Sequence, residues 1–263
     1  MIRTVIWLML CAALVFVASR SDRKPVTIDL GTARYPNNAM NTKVTVQDWA
    51  VQERRRRYRL GYAHGAQAVE SIEHDHRKLG QRNGFSWTTG DAFRWQLGDA
   101  CKGREWSCVY TAIFDRSAID LAPFLDRIHA GLANESHSTA QASRWLLALV
   151  QQIPYRLPTS HAFGVLPPAL VVSQNWGDCD SKSLLLMELL SRVGIDSILL
   201  VSEAHAHALV GIAVPANGSG FQHRGREYSW AETTADAPLG WIHPGLRLPN
   251  DWQVIPIDAN RLR

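Results

Sequence analysis

Helical periodicity in the middle of this sequence, followed by strand-like periodicity towards its end, predicts an α+β fold. Three observations carry that expectation. Trp145, Leu146, Leu149 and Val150 form an apolar stripe inside Ser138–Gln152, and a second helical run from Cys179 to Arg192 is apolar around much of its circumference and stops at Gly194. Beyond Gly194 the pattern changes, and Ile195–Val201, His207–Val214, Glu227–Trp230 and Trp252–Ile257 read as strands. Helices first and strands afterwards is the order of an antiparallel sheet with helices packed against or beside it, not of a βαβ repeat.

With 46% hydrophobic and 20% charged residues, the 263-residue chain has the balance of a globular protein with a sizeable core. Its formal charge of +4 is too small, and its basic residues too dispersed, to argue for nucleic acid as a partner.

In chain order, Val5–Ala18 is an uncharged run behind Arg3, which predicts a signal peptide or a short membrane anchor over residues 1–20. That segment implies a periplasmic or exported protein and inner-membrane association through residues 1–20. Residues 21–45, rich in Pro, Asn, Asp, Thr and Gly, read as an irregular lead-in. Val46–Leu79 reads as one or two helices interrupted at Gly61, Gly65 and Gly80, with Arg54–Arg57 and Arg59 as a solvated helix face. His74 and His76 stand two apart, on different faces of a helix, so with His64 they make no metal site. Residues 81–118 hold Trp87, Trp95 and Trp106 and read as an aromatic-packed irregular stretch with short strands near Val109–Phe114. Ile119–Leu132 then reads as a helix, and the partition becomes 1–20, an extension over 21–118, and a core over 119–263.

Three cysteines follow residue 20. Cys101 and Cys108 are spaced for a small disulfide loop that leaves Cys179 free, the alternative being three reduced thiols.

Chemistry concentrates around Asn175-Trp176-Gly177-Asp178-Cys179-Asp180-Ser181-Lys182-Ser183. Gly and Asp ahead of Cys179 read as a turn feeding a helix, where free amides and the positive helix end favour a thiolate. His207 enters a strand directly and is the expected base, with His205 in reserve. Glu232, at the end of the next strand, is the expected carboxylate that orients the ring, with Asp236 as its substitute. Helix-start amides, with Gln174 or the Trp176 backbone, would receive an oxyanion. A zinc site from Cys179, His205 and His207 lacks a fourth ligand, so neither metal nor cofactor is expected.

The ordered pieces Leu149–Tyr155, Gly177–Leu185, Gly194–Asp196, His207–Gly211 and Tyr228–Thr234 resemble the transglutaminase-like cysteine protein superfamily, and within it the bacterial transglutaminase-like proteins. The resemblance implies a papain-like core whose Cys-His-acid triad maps onto Cys179, His207 and Glu232. Glu232 stands where many members have Asp, and Asp180 matches a position that is often acidic. The function it implies is acyl transfer through a Cys179 thioester on a protein or peptide substrate. Hydrolysis, as a peptidase or amidase, is preferred. The alternatives are a protein-glutamine crosslinking transferase and a catalytically inactive, membrane-associated binding or assembly module.

Overall fold

A computed structural model describes residues 25–36, 44–53, 56–88 and 92–257. The chain is α+β, with two main sheets. Strands β1 (Val26–Arg34), β2 (Val44–Glu53) and β3 (Arg56–Gly65) form a three-stranded sheet in the order β1-β3-β2. β2 and β3 are antiparallel, whereas β1 lies parallel to β3. The second sheet, ordered β10-β6-β7-β9-β8, is antiparallel throughout and comprises β6 (Ser197–Ser202), β7 (His207–Ile212), β8 (Gly220–His223), β9 (Arg226–Ala231) and β10 (Gln253–Ile255). A two-stranded ribbon, β4 (Ser86–Trp87) with β5 (Phe93–Arg94), carries part of the aromatic stretch.

Five α-helices and four short 3-10 turns complete the described fold, the α-helices being α1 (Ala66–Arg82), α2 (Glu105–Asn134), α3 (Thr139–Gln151), α4 (Pro168–Gln174) and α5 (Cys179–Arg192). The apolar stripe expected before Pro154 is α3, opened by a capping box in which Ser138 and Gln141 satisfy each other's backbone amides. α4 starts on Pro168, where a missing N–H costs nothing, and ends at Asn175 in the left-handed conformation (φ 56°). The central helix is α5. Leu184, Leu185, Leu186, Leu189 and Leu190 are buried on it, and it packs against α2, α3, α4, β6 and β7. Each such leucine contributes about 1.5–3 kcal/mol through the water it leaves.

The first half departs from the sequence expectation. Part of the expected lead-in is β1, and Val46–Leu79 is not mainly helical, because β2 and β3 occupy it up to Gly65. In β3 the residues Tyr58, Leu60 and Tyr62 are buried while Arg57 and Arg59 are exposed, so the basic run lies on a strand; Arg54 and Arg55 lie outside the described residues. The strands expected near Val109–Phe114 are instead part of the 30-residue α2. Tyr110, Phe114, Leu121, Phe124, Leu125 and Ile128 line its buried face at helical spacing.

Cys101 and Cys108 form a disulfide that ties the turn before α2 to its first turn. Next to it Phe85, Trp87, Phe93, Trp95, Trp106 and Phe163 make a connected set of edge and tilted ring contacts. No helix among the described residues is long and apolar enough to cross a membrane. The expected inner-membrane association is corrected accordingly: no described element carries it, and residues 1–20, on which it rested, lie outside the described residues.

Candidate functional site

The site is built at the start of α5. Asp178 is its N-cap, and the Asp178 carboxylate accepts from the Ser181 amide at 3.1 Å and from the Ser181 hydroxyl. Ser181 Oγ in turn accepts the Leu166 amide at 2.8 Å, which fixes the incoming loop. Gly177 passes so close to this turn that a Cβ there would stand 3.2 Å from Val171 and 3.3 Å from Ser181. Its backbone pairs with the segment after α3, through Gly177 N–H to Pro154 O at 3.1 Å and Arg156 N–H to Gly177 O at 3.0 Å.

Cys179 follows as a free, buried cysteine. Its thiol donates to Asp180 Oδ1 at 3.5 Å, and Tyr110 Oη donates to Asp180 Oδ2 at 2.5 Å. Burial pushes the Cys179 thiol well above its ordinary range, and the neighbouring charges of Asp180 and Asp178 push it further; the Ala208 amide opposes them. The two carboxyls are raised as well. Asp178 is pushed up to about 7 by burial and by Asp180. Asp180 is raised by burial, against the stabilising effects of Tyr110, Cys179 and His207.

The sheet brings up the other expected residues. His207 opens β7 opposite Ser202 of β6, and Glu232 follows the end of β9. His207 Nε2 lies 2.7 Å from Glu232 Oε2, while Glu232 Oε1 accepts from Thr234 N and Oγ1 at 2.7 and 2.6 Å. Burial alone would raise the Glu232 carboxyl, but the His207 and Thr234 contacts outweigh it and hold it below its usual range. Lys182, within reach of the Glu232 charge, is buried and donates to Ile153 O at 2.7 Å. Its burial brings the ammonium down to about 8, with the Glu232 charge acting against that change.

His207 and Glu232 therefore meet each other, and the Ala208 amide beside His207 reaches Cys179, but the supporting residues lie elsewhere. His205 Nε2 lies 3.1 Å from Asp251 Oδ2 and its ring packs against Trp252. Gln174 donates to Glu73 at 2.8 Å, and Trp176 lies under the Arg156 guanidinium at 4.7 Å. Asp236 is exposed, and no contact with His207 is present among the described residues. Sequence reasoning missed Tyr110, the hydroxyl that fixes Asp180 from 70 positions away, and Trp252, whose ring stands edge-on to His207. It also missed Lys182, whose signal was its place one helical turn after Cys179.

This geometry overturns the thiol-dependent acyl transfer expected from the sequence. A thioester mechanism needs the cysteine proton to pass to an imidazole. Here the proton is held towards Asp180, in a place where burial and two carboxyls disfavour the thiolate, and no hydrogen bond joins Cys179 to His207 among the described residues. The Ser181 amide, one of the helix-start donors expected at an oxyanion, is taken by Asp178. The cysteine peptidase, amidase and crosslinking expectations fall with that step, and so does the protein or peptide substrate that depended on it. Among the described residues no group of three or more His, Cys, Asp or Glu side chains is placed to hold a metal ion.

Comparison with protein-family models, with curated proteins and with solved structures gave no match in any of the three. The fold and the site define an α+β protein with a free, buried cysteine at the start of its central helix, which packs against a strand opened by an imidazole–carboxylate pair.

Proposed function

We propose that this chain is a catalytically silent binding or assembly module on a transglutaminase-like scaffold. In it Cys179, Asp180, His207 and Glu232 form a closed polar joint between the central helix and the sheet. One observation carries the reading: the Cys179 thiol donates to Asp180 beside a second raised carboxyl, while His207 is committed to Glu232. The scaffold assignment is supported by element order and sheet order, since a cysteine starts the central helix, a histidine opens β7 and an acid follows β9, the strand beside β7 in the sheet. Tyr155 and Leu157, exposed in the segment paired with Gly177, give this side of the molecule a contact surface outside the sealed thiol.

The test is the rate at which a thiol-alkylating reagent modifies Cys179 across pH, mapped by mass spectrometry in the native protein and in His207→Ala. A silent joint predicts slow modification at neutral pH in both forms. Fast modification at neutral pH that collapses in His207→Ala would overturn the reading.

A further inference from the structure

Away from this site, two adjoining cavities lie along the seam between α1 and α2. The larger, about 700 Å³, is walled by Leu79, Leu97, Val109 and the Cys101–Cys108 disulfide. The second, about 420 Å³, is floored by Ile72, Ile113 and Pro167. Leu79 and Ala112 line both, so the two cavities adjoin across this apolar ridge and are treated as halves of one groove. Each half has the volume of a small-molecule site.

The charges around the groove are unevenly paired. In the smaller half Asp75 and Asp120 are both engaged by Arg116, at 2.9 and 3.5 Å. Lys78 and Arg82 on its rim, and Arg104 on the rim of the larger half, are exposed and make no ion pair among the described residues. Asp115 is the other acid in the lining. An apolar floor draws hydrocarbon out of water, and cations left without a carboxylate draw an anion, with their methylene stems covering the chain.

We propose that the α1–α2 groove is a binding site for an amphipathic organic anion, a medium-chain carboxylate being the simplest member. The hydrocarbon would lie across the Leu79–Ala112 ridge and the carboxylate would meet Lys78 and Arg82. The six residues after Ile257, which forms part of the larger half, carry Arg261 and Arg263 against Asp258 and so match this rim poorly.

The probe is decanoate, kept below its micelle concentration and titrated into the full-length protein by calorimetry, with decyltrimethylammonium as the counterpart of opposite charge. Saturable binding of decanoate at one site is expected. It should weaken about tenfold or more in the double variant Lys78→Glu, Arg82→Glu, the range of a lost charge-assisted contact. Both positions are exposed, so this variant keeps its fold, which circular dichroism checks. Ala112→Trp, which fills the ridge, should abolish binding. Equal or tighter binding of decyltrimethylammonium, or decanoate binding unchanged in the double variant, would overturn the proposal. So would binding that appears only after deletion of residues 258–263, since the groove would then belong to that segment.

Discussion

Asp180→Asn tests the electrostatic account of Cys179 directly. The substitution keeps the size of the side chain and an oxygen for Tyr110 to meet, but removes the negative charge 3.5 Å from the thiol. Burial remains and is the larger influence on that thiol, so the change is partial. Two charges at this separation interact by roughly 4–5 kcal/mol at an effective dielectric constant of about 20. With about 1.4 kcal/mol per pH unit, and less than the full interaction removed because burial raises the Asp180 carboxyl and leaves it with less than a full charge, the thiol pKa should fall by roughly two units. At a fixed pH near 8 the thiolate fraction, and with it the alkylation rate, should then rise by about a hundredfold. The assay is the pH profile of iodoacetamide modification at Cys179, read by mass spectrometry against the native protein. A profile that does not move towards lower pH would refute the claim that Asp180 holds the thiol protonated.

Further expectations concern stability. Asp178 is raised from 3.8 to about 7 in the folded chain, so folding is favoured when it is protonated; that contribution is complete below about pH 4 and is lost as pH rises through 7. Its ceiling is about 4 kcal/mol, and Asp178→Asn should flatten that part of a urea-denaturation profile measured from pH 4 to 8. The disulfide closes a short loop, Cys101 to Cys108. Replacing both cysteines by serine should cost about 2–3 kcal/mol in the same assay, and no loss would show that the aromatic cluster alone holds the turn. Leu170 is fully buried on α4, and Leu170→Ala should cost about 2–5 kcal/mol with an unchanged denaturant slope.

The parts of the fold legible in the sequence are those whose period reports burial on one face. α3, α5 and the strands β6, β7 and β9 fall where the stripes of Trp145, Leu146 and Leu149, the leucines of α5, and the residues after Gly194 put them. β3 carried the same kind of signal in Tyr58, Arg59, Leu60 and Tyr62, but the arginine run leading into them read as a solvated helix face and Gly61 blurred the alternation. In α2 the β-branched and aromatic composition of Val109–Phe114 pointed to strand, and the wider period through Ile128 decided the outcome. The parallel pairing of β1 with β3 joins segments that no local pattern connects. At the site, Cys179, His207 and Glu232 could be placed from sequence, but the destination of the thiol proton could not. That depends on Asp180 being enclosed under Tyr110, a contact across 70 positions.

The position of β10 bears on how the protein is made. β10 pairs with β6 through Gln253–Ile255, and Trp252, just before it, packs against both His205 and His207. A chain emerging from the ribosome at roughly 5–20 residues per second can assemble the helices and the first sheet while this stretch is still inside the exit tunnel. Until β10 pairs, β6 is the open edge of the second sheet and the imidazole lacks the indole that walls one of its sides. A chain that lacked residues 252–255 would present β6 as an unpaired edge and leave one side of the His207 ring uncovered.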